Sequence, residues 1–245
     1  MKNINNILEL KDLKIIFEDE FIIAINKPAG LLTLPDRYNH NLPSLYKILK
    51  NHYENIFSVH RLDVGTSGVI LFAKDANTHK ILNEQFAEHS IEKFYLAVTQ
   101  GAIHKNNFEI DIPLLLNNKL AAVVPSVRGK YSLTIINVIE RFNNATLVKA
   151  QLKTGRQHQL RVHCAAIGHP LLVDDLYGNQ SQFFISSIKK RFNLKKGTEE
   201  KPIISRPTLH AQEITFLHPN NSKITLQAQM PKDFSALLQI LRKYS

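Results

Sequence analysis

The segment that most constrains this chain is a polar turn joined directly to an apolar run. Residues 60–68 place Asp63 between the basic pair His60-Arg61 and a turn rich in glycine, threonine and serine. The apolar residues 69–73 follow at once, which is typical of a strand buried on both faces. Such a strand would hold the turn rigidly and direct the carboxylate outward. Asp63 is therefore a candidate for chemistry, provided that the chain supplies a binding surface and a partner for its charge.

The charge balance indicates what kind of partner to expect. The 245 residues include 31 Lys+Arg against 21 Asp+Glu, which gives a formal net charge of +10. A basic excess of this size favours a polyanionic partner, either a nucleic acid or an anionic membrane surface. A basic protein without a polyanionic partner remains an open alternative at this point.

The sequence also limits the cellular setting. Cys164 is the only cysteine, so neither a disulfide within the chain nor a cysteine-based zinc site is possible. No apolar stretch approaches the roughly 18–20 residues that a membrane span requires. The first eleven residues lack the apolar region of a signal peptide. We therefore expect a soluble cytoplasmic protein without a membrane partner.

Hydrophobic periodicity predicts an α+β fold with a mainly antiparallel sheet, because neighbouring strands are joined by hairpin turns. The predicted strands cover residues 13–18, 21–26, 91–99, 131–141, 145–153, 209–217 and 223–229, with short or irregular strands at 108–112 and 119–125. The predicted helices cover residues 44–51, 75–89, 157–167 and the chain from 231 onward. Ser44 and Asp75 are predicted caps, and Gly168 is predicted to end the third helix.

One composition shift lies at residues 178–206. It contains the lysines Lys189, Lys190, Lys195 and Lys196, interleaved with aromatic residues. This pattern is compatible with phosphate contacts and base stacking. A solvated surface insertion explains it equally well, so both interpretations stay open.

Several polar residues are candidates for a site on their own chemistry. Arg161 lies near a buried helix edge and needs an anionic partner, because an unpaired guanidinium in a core costs several kcal/mol. Tyr95 is predicted to point into a cleft or a core. Lys27 could face a phosphate, although a solvated turn lysine is the more usual case.

His158, His163 and His169 are spaced by five and six residues, which does not place two imidazoles on one helical face, so we expect no metal site.

An ordered set of segments resembles the RluA-type pseudouridine synthases, which isomerise uridine in RNA. The set consists of residues 26–31, 60–68, 93–97, 154–163, 168–170, 177–178, 209–211 and 216–219. A lone His-Arg-Leu-Asp motif would be weak, whereas the whole set in this order is specific. One departure is Val173-Asp174-Asp175, where the family commonly shows Gly-Asp. A second is the insertion at 179–206, which is longer than in the shortest members.

The resemblance implies a pseudouridine synthase fold, with flanking helices and a central RNA-binding cleft. It implies one catalytic domain spanning residues 1–245, with a core at about 13–230 and no preceding S4-type RNA-binding domain. We expect a monomer that acts on ribosomal or transfer RNA, binds no DNA and uses no cofactor. The expected alternative is a catalytically inactive RNA-binding or ribosome-assembly factor on the same fold.

The resemblance also implies roles for individual residues. Asp63 would be the essential carboxylate, Tyr95 would lie against the target base, and Arg161 would pair with Asp63 and keep it ionised. The target uridine would be flipped out of its stack. Substrate contacts are expected from Arg61, His60, Thr66, Arg156, His158, Leu209, Lys27, Lys189, Lys190, Lys195 and Lys196.

The motif His60-Arg61-Leu62-Asp63 also has a superficial likeness to a protein-kinase catalytic loop. In kinases the aspartate follows the arginine directly, and an asparagine lies five residues further on. Here Leu62 intervenes and Gly68 occupies the later position, and no glycine-rich phosphate loop is present in the sequence. These differences argue against the kinase interpretation.

Overall fold

The computed structural model describes residues 9–117, 121–189, 191–194 and 197–244. Its strands are β1 (Lys14–Glu18), β2 (Ile22–Lys27), β3 (Phe57–Ser58), β4 (Ser67–Ala73), β5 (Glu92–Gln100), β6 (Asn107–Asp111), β7 (Leu114–Asn117), β8 (Ala122–Pro125), β9 (Leu133–Arg141), β10 (Ala145–Leu152), β11 (Leu209–Leu217) and β12 (Lys223–Gln227). Its α-helices are α1 (Leu45–Lys50), α2 (Ala76–Ala87), α3 (Gln159–Ala166) and α4 (Lys232–Tyr244).

The chain divides into two compact units. Unit 1 comprises Met1–Lys93 and Ala211–Gln229, and unit 2 comprises Phe94–His210 and Met230–Ser245. The strands β5 and β11 each begin in one unit and continue in the other. The expectation of a single catalytic domain stays a prediction.

Unit 1 is built around β4, whose seven residues are all buried. The strand order is β1-β2-β4-β11, with β3 paired to β4 and β12 paired to β11. The β2 and β4 strands are antiparallel and in register from Ile22 opposite Ala73 to Lys27 opposite Gly68. This register fixes the end of β2 beside the start of β4, where the segment carrying Asp63 enters the sheet.

The helices of unit 1 start where the sequence predicts. The Ser44 side chain accepts a hydrogen bond from the Lys47 amide, and the Asp75 side chain accepts one from the Thr78 amide. These bonds satisfy amides that the first helical turn leaves without a partner. From α2, Leu82 is fully buried in a core that also contains Leu71 of β4.

Unit 2 contains a sheet of strand order β5-β10-β9-β6 and a separate two-stranded sheet, β7-β8. The pairs β5-β10, β9-β10, β6-β9 and β7-β8 are all antiparallel. Along β5, Leu96 and Val98 belong to one apolar cluster and Ala97 to another. Both faces of β5 are therefore covered in unit 2. The C-terminal helix α4 buries Phe234, Leu237, Leu238 and Leu241.

The third helix is shorter than predicted. It begins at Gln159 rather than Gln157, because His158 adopts a left-handed conformation with φ +53° as the N-cap. Its end follows the prediction, since Gly168 has φ +81° directly after the C-cap residue Ile167. Leu160 and Cys164 face the core, and Ile167 packs against the same cluster while partly exposed.

The observed elements confirm the α+β class and the mainly antiparallel sheet. The predicted strand at 119–125 is only partly tested, because residues 118–120 lie outside the described residues. Its observed part is β8, and its partner β7 was not predicted as a strand. Within the described ranges, none of the helices combines the length and apolar character needed to cross a membrane.

Candidate active site

Asp63 lies on a loop of unit 1 whose main chain is anchored on both sides of the carboxylate. On one side, the Thr33 hydroxyl donates to the Leu62 carbonyl at 2.8 Å and accepts from the Leu62 amide at 3.1 Å. On the other side, the Gly30 amide donates to the Val64 carbonyl at 2.7 Å. The Thr66 amide donates to the Asp63 carbonyl at 3.0 Å and closes the turn. The half-buried Asp63 is thus presented by a fixed backbone.

Lys27 is a further anchor of this loop, and its placement corrects the expected phosphate contact. The side chain is fully buried, and Nζ donates to the carbonyls of Pro28 at 3.0 Å, Leu31 at 2.7 Å and Val64 at 3.3 Å. A lysine without surface exposure cannot present its charge to a phosphate in solvent. Its ammonium group joins the turn after β2 to the loop after Asp63.

His60 also has an internal partner instead of the expected substrate contact. The Leu71 amide of β4 donates to His60 Nε2 at 3.0 Å, so the proton of the neutral ring lies on Nδ1. The ring packs on Phe86 with centroids 4.9 Å apart. Burial, together with the nearby charge of Lys93, lowers the pKa of His60 to about 3. The neutral imidazole thus gives the Leu71 amide of β4 a hydrogen-bond acceptor just beyond the point where the paired strand β3 ends.

The start of β4 requires glycine. Gly68 has φ +124°, and a Cβ atom there would lie 2.1 Å from the carbonyl oxygen of Ala211. Any side chain would therefore collide with the main chain of β11.

Thr66, another expected substrate contact, is 2% exposed and thus belongs to the interior of the turn. Arg61 is exposed, which is compatible with the predicted RNA contact.

In unit 2, Arg161 is buried on α3 and held by an acidic side chain. Its Nε and Nη2 atoms each donate to Asp174 at 2.7 Å, a bidentate arrangement. Burial opposes ionisation of Asp174, but hydrogen bonds from Arg161 and from the backbone amides of Tyr177 and Leu176 outweigh it and lower its pKa. The exposed Asp175 approaches Nη2 at 3.6 Å. The predicted pairing of Arg161 with Asp63 stays a prediction.

Tyr177 supports the same guanidinium from its face. The Cζ atom of Arg161 lies 5.1 Å from the centre of the Tyr177 ring, a cation–π distance. The Tyr177 hydroxyl accepts from the Val123 amide at 2.9 Å and lies 2.8 Å from Nδ1 of His158. Arg161 therefore has an acid at its edge and an aromatic ring at its face. His158, predicted to contact substrate, connects to this arrangement through Tyr177.

The segment that leads into α3 is fastened to β9. Gln159 accepts from the Thr154 hydroxyl at 2.7 Å and donates to the Leu133 carbonyl at 3.0 Å. The Leu133 amide donates to the Thr154 hydroxyl at 3.1 Å. Arg156, another predicted contact, donates from Nε to the Tyr131 carbonyl at 3.1 Å. The position of α3, and hence of Arg161, is set by these bonds.

Two predicted base-facing residues come together in unit 2. Leu209 is 5% exposed and belongs to an apolar cluster with Leu160 and Cys164, and the partly exposed Tyr95 packs against that cluster. Lys189 lies over the ring of Phe192 at 5.7 Å. The remaining predicted contacts Lys190, Lys195 and Lys196 lie outside the described residues.

His163 and His169, which the sequence analysis considered as metal ligands, make hydrogen bonds within the protein. His163 lies 2.9 Å from the Thr134 hydroxyl and 3.0 Å from the Ile112 carbonyl, and His169 lies 2.9 Å from the Gln100 carbonyl. In the part of the chain that the structure describes, no group of three or more His, Cys, Asp or Glu residues is arranged to hold a metal ion.

Sequence reasoning missed several supporting residues. Tyr177 was quoted only as part of the resemblance, Asp174 only within a departure from the family pattern, and Thr33 was not singled out. The requirement for an anionic partner of Arg161 was the one signal that could have identified Asp174. Chemically, the two regions offer a carboxylate on a fixed loop in unit 1, and a buried, oriented guanidinium with a nearby tyrosine in unit 2. Carboxylates of this kind serve as nucleophiles or stabilise oxocarbenium-like centres in glycosidic chemistry.

Comparison with known proteins gives a consistent result. Residues 21–166 match the family model described as RNA pseudouridylate synthase. The chain is 34% identical to the ribosomal large subunit pseudouridine synthase D of Zymomonas mobilis, covering 94% of this chain and 73% of that protein. It is 36% identical to the dual-specificity RNA pseudouridine synthase RluA of Vibrio cholerae, covering 85% of this chain and 79% of that protein.

The fold has matches among solved structures. The human RNA pseudouridylate synthase domain-containing protein 4 aligns with a TM-score of 0.70 at 22% identity, covering 94% of this chain and 93% of that one. The human domain-containing protein 1 aligns with a TM-score of 0.67 at 23% identity, covering 94% of each chain. These likenesses confirm the predicted fold.

Proposed function

Because the chain belongs to the RNA pseudouridylate synthase family and is an RNA pseudouridine synthase, we propose that it isomerises specific uridines of ribosomal or transfer RNA. The relatives named above are a ribosomal large subunit synthase and a dual-specificity RNA synthase. A ribosomal large subunit pseudouridine synthase C from Haemophilus influenzae is 35% identical over 99% of this chain. These names support ribosomal RNA as the first substrate class to test, with transfer RNA as the second.

Asp63 is the proposed essential carboxylate. The reaction breaks the N1–C1′ bond, turns the base and forms a C5–C1′ bond, while C5 loses its hydrogen and N1 gains one. A carboxylate can attack C1′ directly, or it can remove the C2′ proton on a route through a glycal. The observation that carries the proposal is the anchored loop, since Thr33, Gly30 and Lys27 fix the peptide groups on both sides of Asp63.

Arg161 is the proposed source of the positive charge that keeps Asp63 ionised. A guanidinium has five N–H donors, and Asp174 engages Nε and Nη2. Asp174 fixes the orientation of the guanidinium, and the positive charge of that group is proposed to act on Asp63 as well. An ionised Asp63 is required on either route, because only the carboxylate can act as nucleophile or base.

Tyr95 and Leu209 are the proposed neighbours of the target base. They share one apolar cluster of unit 2, and Tyr95 keeps a partly exposed surface. A phenol in this position can exchange a proton with C5. Uridine in folded RNA is stacked, so it must be flipped out at a cost of a few kcal/mol. The exposed Arg61 is proposed to occupy the space that the base leaves.

The test is a map of pseudouridine in the ribosomal and transfer RNAs of cells with and without the gene. Carbodiimide-blocked primer extension marks each pseudouridine as a stop. We expect one or a few stops to disappear with the gene and to return when the gene is restored. An unchanged map across all ribosomal and transfer RNAs would contradict the proposal and favour an inactive RNA-binding or assembly factor.

A further inference from the structure

Unit 2 has an exposed loop that the proposed chemistry does not use. The loop runs from Ser126 to Tyr131, between β8 and β9. Val127 is 98% exposed and Tyr131 is 53% exposed, and Arg128 and Lys130 are exposed as well. A half-exposed tyrosine beside two cations combines a flat stacking surface with positive charge.

The loop is held rigidly by its main chain. The Ser126 amide donates to the Pro113 carbonyl at 2.9 Å, and the Gly129 amide donates to the Ser126 carbonyl at 2.8 Å. Leu114 and Lys130 exchange two backbone hydrogen bonds of 3.0 and 2.8 Å. A Cβ atom at Gly129 would lie 2.5 Å from the carbonyl carbon of Leu114. Since little order has to be gained on binding, the loop is preorganised for a partner.

The loop is bonded to the segment that carries Arg161. Arg156 donates from Nε to the Tyr131 carbonyl at 3.1 Å. Gln159 donates to the Leu133 carbonyl at 3.0 Å, two residues after Tyr131. Gln159 lies two positions before Arg161 on α3. Tyr131 and Arg161 therefore belong to one bonded framework within unit 2.

The surrounding sequence has a pronounced charge asymmetry. Residues 112–173 contain one acidic residue, Glu140. The same stretch contains the basic residues Lys119, Arg128, Lys130, Arg141, Lys149, Lys153, Arg156 and Arg161. A polyanion is the complementary partner for such a stretch. This asymmetry is independent of the basic insertion at 179–206.

We propose that Tyr131 is a stacking platform for an unpaired base of the RNA substrate, with Arg128, Lys130 and Arg156 at the neighbouring phosphates. The inference rests on the proposed function, because it takes RNA as the partner. Stacking on an aromatic side chain tolerates any base, since every base has a π-face. The site therefore recognises unpaired nucleotides rather than a particular sequence.

The experiment measures RNA affinity of the full chain, so it does not depend on turnover. Two labelled RNAs are compared by fluorescence anisotropy over a range of salt concentrations: a hairpin with an unpaired uridine-rich loop, and the same sequence fully paired. We expect Tyr131→Ala to weaken hairpin binding by about 5- to 150-fold and to leave duplex binding unchanged. Tyr131→Phe keeps the ring and should bind like the wild type.

Two further variants separate stacking from charge and from exposed apolar area. Because Tyr131 is neutral, Tyr131→Ala should leave the salt slope unchanged, whereas Arg128→Gln should reduce it by about 0.7 for a single-strand phosphate contact. Ile139→Ala is the matched control, since Ile139 is 52% exposed in the same unit and lies beside Glu140. It should bind as the wild type does.

Unchanged hairpin affinity of Tyr131→Ala in a folded protein would overturn the inference, and so would failure of Tyr131→Phe to bind like the wild type. An equal loss with Ile139→Ala would also overturn it, because exposed apolar area alone would then explain the effect. The proposed function fails by a different result, an unchanged pseudouridine map. The two failures are therefore distinguishable.

Discussion

The loop around Asp63 and the segment around Arg161 are held by different kinds of contact. In unit 1, Thr33, Gly30 and Lys27 bond to the peptide groups of Leu62 and Val64, on either side of the carboxylate. In unit 2, Asp174 and Tyr177 contact the guanidinium of Arg161 itself, at its edge and at its face. The bonds described for unit 1 act on the peptide groups beside Asp63, and those described for unit 2 act on the guanidinium of Arg161.

The difference follows from what each group has to do in the proposed reaction. Asp63 would change its bonding during turnover, so supports on the neighbouring peptides keep the loop in place throughout. Arg161 would keep one charge and one orientation, which direct contacts to the guanidinium secure. Substitutions of the supports should therefore act differently in the two regions.

The largest expected effect is that of Lys27→Met on unit 1. The variant leaves the carbonyls of Pro28, Leu31 and Val64 without the buried ammonium donor. We expect the free energy of unfolding to fall by about 3–5 kcal/mol, measured by urea denaturation. Lys50→Met is the control, because Lys50 is an exposed lysine that donates to a single carbonyl, that of Glu54. Equal stability of the two variants would show that the loop does not depend on Lys27.

Next in size is the effect of Asp174→Asn on unit 2. The change removes the charge that compensates the buried Arg161, so the free energy of unfolding should fall by about 3 kcal/mol. The kcat should fall by at least about tenfold with little change in KM, because the proposed role of Arg161 lies in the chemical step.

Asp175→Asn is the matched control for Asp174→Asn. Asp175 is exposed and lies 3.6 Å from the same guanidinium, so its loss should change the stability by less than about 1 kcal/mol. Similar kinetic losses in both variants would contradict a specific role of the buried pair.

A smaller effect distinguishes His60 of unit 1 from the Asp174–Arg161 pair of unit 2 by its dependence on pH. The pKa of His60 is about 3 in the folded protein against an ordinary value of 6.5, so the unfolded chain binds more protons between these values. The contribution of His60 to stability is complete above pH 6.5 and falls as the pH drops toward 3. The Asp174 pair does not titrate in most of this window, because the pKa of Asp174 is below its ordinary 3.8.

Urea denaturation at pH 7.5 and at pH 5 tests this difference. The wild type should lose stability between the two pH values, and His60→Gln should lose less, because glutamine still offers an acceptor to the Leu71 amide but does not titrate. The exposed His89→Gln is the control and should follow the wild type. An unchanged slope in His60→Gln would show that His60 does not cause the acid sensitivity of unit 1.

Much of the fold could be predicted from local patterns. The bounds of β11, Leu209–Leu217, agree with the prediction, because alternation and a clear turn define that strand. The start of α3 was wrong by two residues, because a left-handed histidine at an N-cap leaves no compositional signal. Strand β7 was missed, because its pairing with β8 depends on a neighbour across a loop rather than on its own short apolar run.

The site was less accessible to sequence reasoning. Lys27 and His60 were predicted to contact substrate, yet their partners are internal and lie in other segments. The Val64 carbonyl, which accepts from Lys27, is 37 positions away in the sequence. No local sequence pattern indicates that this lysine is buried. The Arg161 partner, Asp174, is likewise set by tertiary packing over 13 positions. The sequence predicted that Arg161 needs an anionic partner, but it did not indicate that this partner is Asp174.

The most direct test of the account is single-turnover chemistry with Asp63→Asn on RNA carrying tritium at C5 of uridine. Forming the C5–C1′ bond expels the C5 hydrogen, so released tritium counts isomerised uridines. The substrate is an RNA whose target uridine has been mapped. We predict no release above the enzyme-free rate, with an RNA dissociation constant within about threefold of the wild type. Tritium release by Asp63→Asn at a rate near that of the wild type would contradict the assignment of Asp63 as the essential carboxylate.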